Sequence, residues 1–213
     1  MKKSIIICLL FLGAYSITNA QSTTAQVEYN KVSQAGIVNE LPFDPGITED
    51  AIVNKMKSLG YSGKSSKGFI VFKAVKLAEL GADTYDMYYK IERKSKKEKD
   101  KSTVSLLLTK GYENFANETS DPALFANAKT FLNGLTEVVA AADLERQIEE
   151  QEAVAKKAQK KYNNSVDDGA DLEKKKRQIE QDIADNIKDQ ANKKAEAATQ
   201  QQILETLKAK RKN

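Results

Sequence analysis

The chain has no histidine, no tryptophan and a single cysteine. Without histidine it cannot build a Ser-His-Asp or Cys-His nucleophile, and it lacks the imidazole and paired thiolate ligands that usually hold zinc. No carboxylate pair or Ser/Lys arrangement with a recognisable motif takes their place. These absences predict a non-enzymatic protein, and we expect no catalytic residue, no cofactor and no metal.

Residues 1–20 have the pattern of a secretory signal peptide. Lys2 and Lys3 are basic, residues 4–15 are mostly apolar, and the small residue Ala20 precedes Gln21. The apolar run is shorter than the roughly 20 residues that a membrane-spanning helix needs. We therefore predict cleavage after Ala20 and export to a bacterial periplasm or cell envelope. The remaining chain then has no cysteine and no transmembrane segment.

The balance of charges argues against a nucleic-acid partner. The formal net charge is +4, and Lys2 and Lys3 contribute to it, so the exported chain is close to neutral. Non-specific binding to nucleic acids depends on an excess of positive charge facing the phosphates. We expect no nucleic-acid binding.

Residues 21–140 have the alternating patterns of a small folded domain. Residues 21–34 are polar and predicted to be loose, although Val27 and Tyr29 allow a strand to start there. Residues 37–43 then give a weak strand signal. A helix is predicted from Thr48 as its N-cap to Gly60, where glycine suits the end of a helix.

The strongest strand signals follow that helix. They cover residues 69–77, 84–93 and 103–109, and a second helix begins at Pro122, with Asp121 as its N-cap. Its apolar face contains the following residues: Leu124, Phe125, Ala128, Phe131, Leu132 and Leu135. The order strand–helix–three-strand meander–helix predicts an α+β domain, in which both helices cover one face of an antiparallel sheet.

Residues 141–213, which we call the arm, have a different composition. They contain no proline, one glycine (Gly169) and one aromatic residue (Tyr162). Apolar residues recur at heptad spacing, but Lys176, Asn186 and other polar residues interrupt the seam, which favours a helix more strongly than a coiled coil. Residues 163–169 are the one place where the arm can turn. A continuous helix and an antiparallel helical hairpin remain equal alternatives.

Candidate interaction residues lie around one strand and the loop after it. Tyr85 and Tyr89 share a face with Met87 and are predicted to be core residues, whereas Tyr88 is on the polar face and is predicted to be exposed for binding. The hairpin tip carries basic residues suited to anionic lipid head groups, polysaccharide or an acidic partner: Lys94, Lys96, Lys97 and Lys99. A simpler interpretation is that these charges keep the hairpin soluble.

The segment from residue 68 to 115, with its Thr-Tyr-Asp-Met-Tyr-Tyr-Lys strand at residues 84–90, resembles uncharacterised exported proteins of Bacteroidota. The order of elements is similar to the TATA-binding-protein-like helix-on-sheet folds found among their periplasmic domains. The resemblance implies a fold and a compartment, but no activity.

Together these patterns predict an exported envelope protein that acts as a binding or scaffold module. Its helical arm is expected to serve self-association, binding of a protein partner or spacing, and its surface to contact the envelope. A periplasmic holdase-like chaperone is the alternative. A hydrolase that uses carboxylates ranks lowest, because no motif supports it.

Overall fold

The computed structural model describes residues 21–211, so the predicted signal peptide lies outside the described residues. The chain divides into two units, Met1–Ile148 and Glu149–Asn213. Its elements are β1 (Thr23–Tyr29), β2 (Val32–Leu41), α1 (Pro45–Ser58), β3 (Gly63–Ser66), β4 (Phe69–Val75), β5 (Tyr85–Arg93), β6 (Ser102–Thr109) and α2 (Pro122–Arg211). The α+β class predicted from the sequence is confirmed, as is the long C-terminal helix.

The strands form one six-stranded antiparallel sheet in the order β1-β2-β6-β5-β4-β3. Side chains alternate between its faces, as they must in a strand. Met87 and Tyr89 therefore lie in the main core with α1 and α2, whereas Tyr88 lies in a smaller cluster on the opposite face. The main core contains side chains from both helices. Both helices therefore cover the same face of the sheet, as predicted.

The start of α1 differs from the sequence prediction. Asp44 is the N-cap, its carboxylate accepts a hydrogen bond from the backbone N–H of Gly46, and Pro45 occupies the first turn. Asp followed by Pro is the stronger start signal, because Pro lacks the N–H that would be left without a partner. The predicted N-cap Thr48 was wrong. Thr48 is fully buried, and its hydroxyl lies 2.9 Å from that of Ser102.

The end of α1 is as predicted. Gly60 has a φ of 90°, and its N–H donates to the carbonyl of Lys57, while the N–H of Tyr61 donates to that of Met56. This pair of bonds is the Schellman arrangement, which needs a left-handed residue after the last helical turn. Glycine adopts that conformation without a steric penalty from a Cβ.

Two additional strands flank the predicted pattern. Residues 21–34, predicted to be loose, form β1 and the start of β2, and the segment before Phe69 forms β3. Both hairpins close through two residues with positive φ, Asn30-Lys31 and Lys67-Gly68. Such turns match the twist of antiparallel strands and favour Asn and Gly. These dipeptides are turn signals that apolar periodicity does not contain.

Helix α2 begins at Pro122 and runs without interruption to Arg211. The predicted apolar face is buried, and Val139 extends it. Of the two predicted alternatives for the arm, the structure has the continuous helix and not the hairpin. A single interior glycine costs a helix only about 1 kcal/mol, and side-chain hydrogen bonds four residues apart, such as Gln159 to Asn163 and Gln178 to Asp182, support the exposed turns.

Candidate interaction surfaces

The connection between β5 and β6 is an ordered basic tip. The backbone N–H of Lys94 donates to the carbonyl of Lys101 at 3.0 Å. The Lys94 ammonium lies 2.6 Å from the Glu40 carboxylate on β2, and this hydrogen bond raises the pKa of Lys94. The Lys94 ammonium thus links the tip to β2, and the Glu40 carboxylate offsets its charge.

A second ion pair organises the far side of the tip. The Lys101 ammonium lies 2.9 Å from the Glu98 carboxylate, and this bond lowers the pKa of Glu98. The Ser95 hydroxyl accepts a hydrogen bond from the Glu98 N–H at 3.2 Å. The exposed lysines Lys96, Lys97 and Lys99 form no ion pair with any described residue. They are the part of the predicted basic surface that remains open to a partner.

Tyr88 does not belong to that surface, and the prediction that it is exposed was wrong. Its side chain is only 3% exposed. It packs edge-on against Tyr29 and Phe69, with ring centroids 5.4 and 6.4 Å away, and it also contacts Phe115. The second face of the sheet is polar around Lys90 and Glu92 but aromatic at its centre, so the neighbours of β5 bury Tyr88.

The loop after β6 closes this aromatic cluster. The Tyr29 hydroxyl donates to the Glu113 carboxylate at 2.7 Å, and the Lys67 ammonium lies 3.1 Å from the same carboxylate and 4.7 Å from the Tyr29 ring centre. Desolvation, followed by the bond to Glu113, raises the pKa of Tyr29, whereas the bonds from Tyr29 and Lys67 lower that of Glu113. The arrangement ties β1 to the loop.

The fully exposed tyrosine of the domain is Tyr112, in the same loop. Its side chain is completely accessible, and its φ is 52°. The sequence analysis did not select it, since it belongs to no periodic element. The adjoining Gly111, which also has a positive φ, was the signal that this residue lies in an exposed turn.

A shallow groove of about 500 Å³ lies beside α2 in the first unit. It is only partly enclosed, unlike the clefts that bury most of a small ligand's surface. Its lining is the following: Lys55, Glu79, Asn127, Thr130, Phe131, Gly134, Glu137 and Val138. Lys55, Glu79 and Glu137 are its ionisable groups.

The arm presents the largest set of exposed apolar side chains. Every residue from 144 to 211 is exposed. Within the second unit the large apolar side chains, which we call the apolar stripe, are 45–64% exposed: Val154, Tyr162, Val166, Leu172, Ile179, Ile183, Ile187, Ile203, Leu204 and Leu207. Exposed apolar side chains that recur along one side of a helix are typical of surfaces that bind proteins or membranes.

Three general properties bear on the kind of partner. No helix in the described part of the chain combines the length and apolarity required to cross a membrane. Between residues 21 and 211 there is no group of three or more acidic, cysteine or histidine side chains arranged to hold a metal ion. Comparison with known proteins gives no match to a family model, to a curated protein or to a solved structure.

Proposed function

We propose that this protein is a non-enzymatic, exported scaffold or binding module that associates through its arm. The observation that supports this most directly is the apolar stripe, which lies on the part of α2 in which every residue from 144 to 211 is exposed. In most proteins an amphipathic helix gains its stability from packing of its apolar face. Among the described residues of one chain the side chains of the stripe stay 45–64% exposed, and association would bury them.

Light scattering of the full chain over a range of concentrations tests the association. We expect dimers or larger assemblies at micromolar concentration. Replacing Ile179, Ile183 and Ile187 by Glu should shift the protein to monomer, because each change places a charge in the stripe. The matched control is Gln178→Glu, Gln181→Glu and Asn192→Glu, which adds the same charges to neighbouring exposed positions and should leave the assembly intact. A wild-type chain that stays monomeric at high concentration contradicts the proposal.

The proposed compartment depends on residues 1–20 and on the resemblance to exported proteins of Bacteroidota. Expression in a bacterium, followed by fractionation and mass spectrometry, provides the test. We expect the periplasmic fraction to contain a chain that begins at Gln21. Recovery of only the uncleaved chain in the cytoplasm contradicts export.

The basic tip is the proposed site of contact with the envelope surface. Lys96, Lys97 and Lys99 project without an ion-pair partner among the described residues, and each Lys or Arg near an anionic membrane contributes about 1 kcal/mol to binding. The protein should sediment with anionic vesicles at low salt, and Gln at these three positions should abolish this. As a control, Gln at three other exposed lysines, Lys57, Lys64 and Lys76, should have less effect. Equal losses in both variants would show that only net charge matters.

A holdase-like chaperone is the second candidate, because the exposed apolar stripe also suits unfolded client proteins. Suppression of the aggregation of an unfolded outer-membrane protein tests it. If the chaperone function holds, the wild type suppresses aggregation at equimolar ratio and the Ile179, Ile183 and Ile187 triple variant does not. No suppression at molar excess removes this candidate and leaves the scaffold function.

A further inference from the structure

A single continuous helix fixes how the arm can pair with a second copy. Taking Ala155 as the first position of a heptad, the seam consists of its first and fourth positions, and the flanking rows are its fifth and seventh positions. The seam then contains these residues: Ala155, Ala158, Tyr162, Ser165, Gly169, Leu172, Lys176, Ile179, Ile183, Asn186, Gln190, Lys193, Ala197, Gln200, Leu204 and Leu207. Small and polar residues interrupt this seam. The residues in the flanking rows therefore help to distinguish a parallel from an antiparallel pair.

Four large apolar residues lie outside this seam, in the flanking rows. Val154 and Ile203 occupy the seventh position and are 59% and 47% exposed, whereas Val166 and Ile187 occupy the fifth position and are 51% and 61% exposed. An arrangement that buries the seam and leaves these four residues against polar groups gives up part of the available apolar burial. Their partners therefore discriminate between orientations.

A parallel pair in register places these four residues opposite polar or charged side chains. In that arrangement the seventh position of one helix contacts the fifth position of the next heptad on the other helix. Val154 then meets Gln159 of the second copy, and Ile203 meets Lys208. Val166 and Ile187 contact Lys161 and Asp182 of the second copy.

An antiparallel pair brings the same four residues together. There the seventh positions face each other, and so do the fifth positions. The single alignment that sets Leu172 of one copy beside Ile183 of the other also sets Val154 beside Ile203 and Val166 beside Ile187. Shifting it by one heptad in either direction loses both flanking pairs.

The lysines in the seam point to the same orientation. A parallel pair stacks Lys176 on its own copy and Lys193 on its own copy, which places like charges together in the least hydrated part of the interface. The antiparallel alignment sets Lys176 beside Ile179, and Lys193 beside Tyr162. A lysine stem can lie along such apolar groups while its ammonium remains in water.

The flanking charges do not decide the orientation. In the antiparallel alignment, Lys161 faces Glu196 and Lys175 faces Asp182, which is favourable. Two like-charge contacts oppose them, Asp168 with Asp189 and Glu173 with Glu180. The parallel pair also has both opposite-charge and like-charge contacts, so these charges favour neither orientation. The flanking apolar residues and the seam lysines distinguish the two.

We propose that residues 151–204 of two copies pair antiparallel, with the centre of symmetry between Arg177 and Gln178, so that the starts of the two segments lie at opposite ends. This inference rests on the proposed self-association. It identifies the partner of the apolar stripe as a second copy of the same chain.

Spin-label distances in the full chain test the orientation directly. Cys8→Ser removes the only native thiol, and Lys160→Cys or Lys188→Cys places one label on the outer side of the helix. For an antiparallel pair, the rise of 1.5 Å per residue predicts axial separations of about 50 Å at position 160 and about 30 Å at position 188. A parallel pair in register gives one similar short distance at both positions and overturns the orientation while leaving self-association intact. A monomer, with no intermolecular distance, overturns both.

Charge rescue tests the alignment independently. Val154→Glu should raise the dissociation constant about 10-fold or more by placing a carboxylate beside Ile203 of the second copy. Adding Ile203→Lys should restore association, because the new charges face each other. The matched control adds Gln159→Lys to Val154→Glu, which pairs the charges only in a parallel arrangement. Rescue by the control and not by Ile203→Lys would overturn the proposal.

Discussion

The carboxylate of Asp86 accepts a hydrogen bond of 2.8 Å from the backbone N–H of Ala74, at the point where the register between β4 and β5 shifts. Ala74 has a φ of 52°, a conformation that a residue with a Cβ seldom adopts. The irregularity removes this N–H from the strand ladder, and Asp86 supplies the acceptor that the ladder no longer provides.

Asp86→Ala should lower the free energy of unfolding by about 1.5–3 kcal/mol, because it removes the hydrogen bond from the Ala74 N–H to a charged acceptor. The same carboxylate also binds the Lys73 ammonium at 2.9 Å, but that lysine side chain is 70% exposed. Lys73→Ala is therefore the matched control, and it should cost less than about 1 kcal/mol, as surface ion pairs do. Urea denaturation measures both. Equal losses would assign the effect to the ion pair.

Gly36 is required by a close approach between strands. A Cβ at this position would lie 2.8 Å from Cδ2 of Leu107 and 2.9 Å from Cγ2 of Val27. Gly36→Ala should lower the free energy of unfolding by about 1–3 kcal/mol through overpacking. Gly134→Ala is the control, since its Cβ would have no atom within 4 Å, and it should stabilise the helix by up to about 1 kcal/mol. Thermal denaturation should shift the two variants in opposite directions.

Tyr88→Ala should unfold the domain instead of weakening binding. The side chain is 3% exposed and touches other aromatic rings, and removal of a buried aromatic side chain costs about 3–5 kcal/mol. Tyr112→Ala makes the same chemical change at a fully exposed position and should leave the melting temperature unchanged. Near-ultraviolet circular dichroism follows the loss of aromatic packing. A folded Tyr88→Ala protein with an unchanged melting temperature would contradict the buried position.

Gly169→Ala tests the continuity of the arm in solution. Alanine is more favourable than glycine inside a helix by about 1 kcal/mol, and no neighbouring atom obstructs the added Cβ. The variant should gain helical signal at 222 nm and melt at a higher temperature. If residues 163–169 formed a turn that used the freedom of glycine, the same substitution would reduce the stability of the arm instead.

The Lys110–Asp121 ion pair predicts a response to acid. The bond from Lys110, and then that from Ser120, lowers the pKa of Asp121 below its usual value of 3.8. The stabilisation is present above the pKa of the unfolded chain and disappears as pH falls through the lower folded pKa. Asp121→Asn should therefore show a shallower fall in melting temperature between pH 5 and about pH 2 than the wild type. Asp50→Asn, at an exposed position on α1, removes the same charge and is the matched control.

Much of the fold was predictable because its signals are local. Asp121 and Pro122 mark the start of α2, Gly60 suits the end of α1, and Met87 and Tyr89 alternate with polar residues along β5. The hairpins at Asn30-Lys31 and Lys67-Gly68 were missed because their strands are short or polar, and a two-residue turn carries little periodicity. The site prediction failed at Tyr88 for a different reason, since burial depends on which strands lie beside β5.

The sequence alone determined the composition of the two parts, the apolar faces of their helices and the absence of histidine and of a second cysteine. Tertiary structure decided which of the candidate tyrosine and lysine side chains are exposed. It buried Tyr88 among rings contributed by β1, β4 and the loop after β6, it paired Lys94 with Glu40 on β2, and it left Lys96, Lys97 and Lys99 exposed. These outcomes depend on contacts between residues far apart in the chain, which no local pattern encodes.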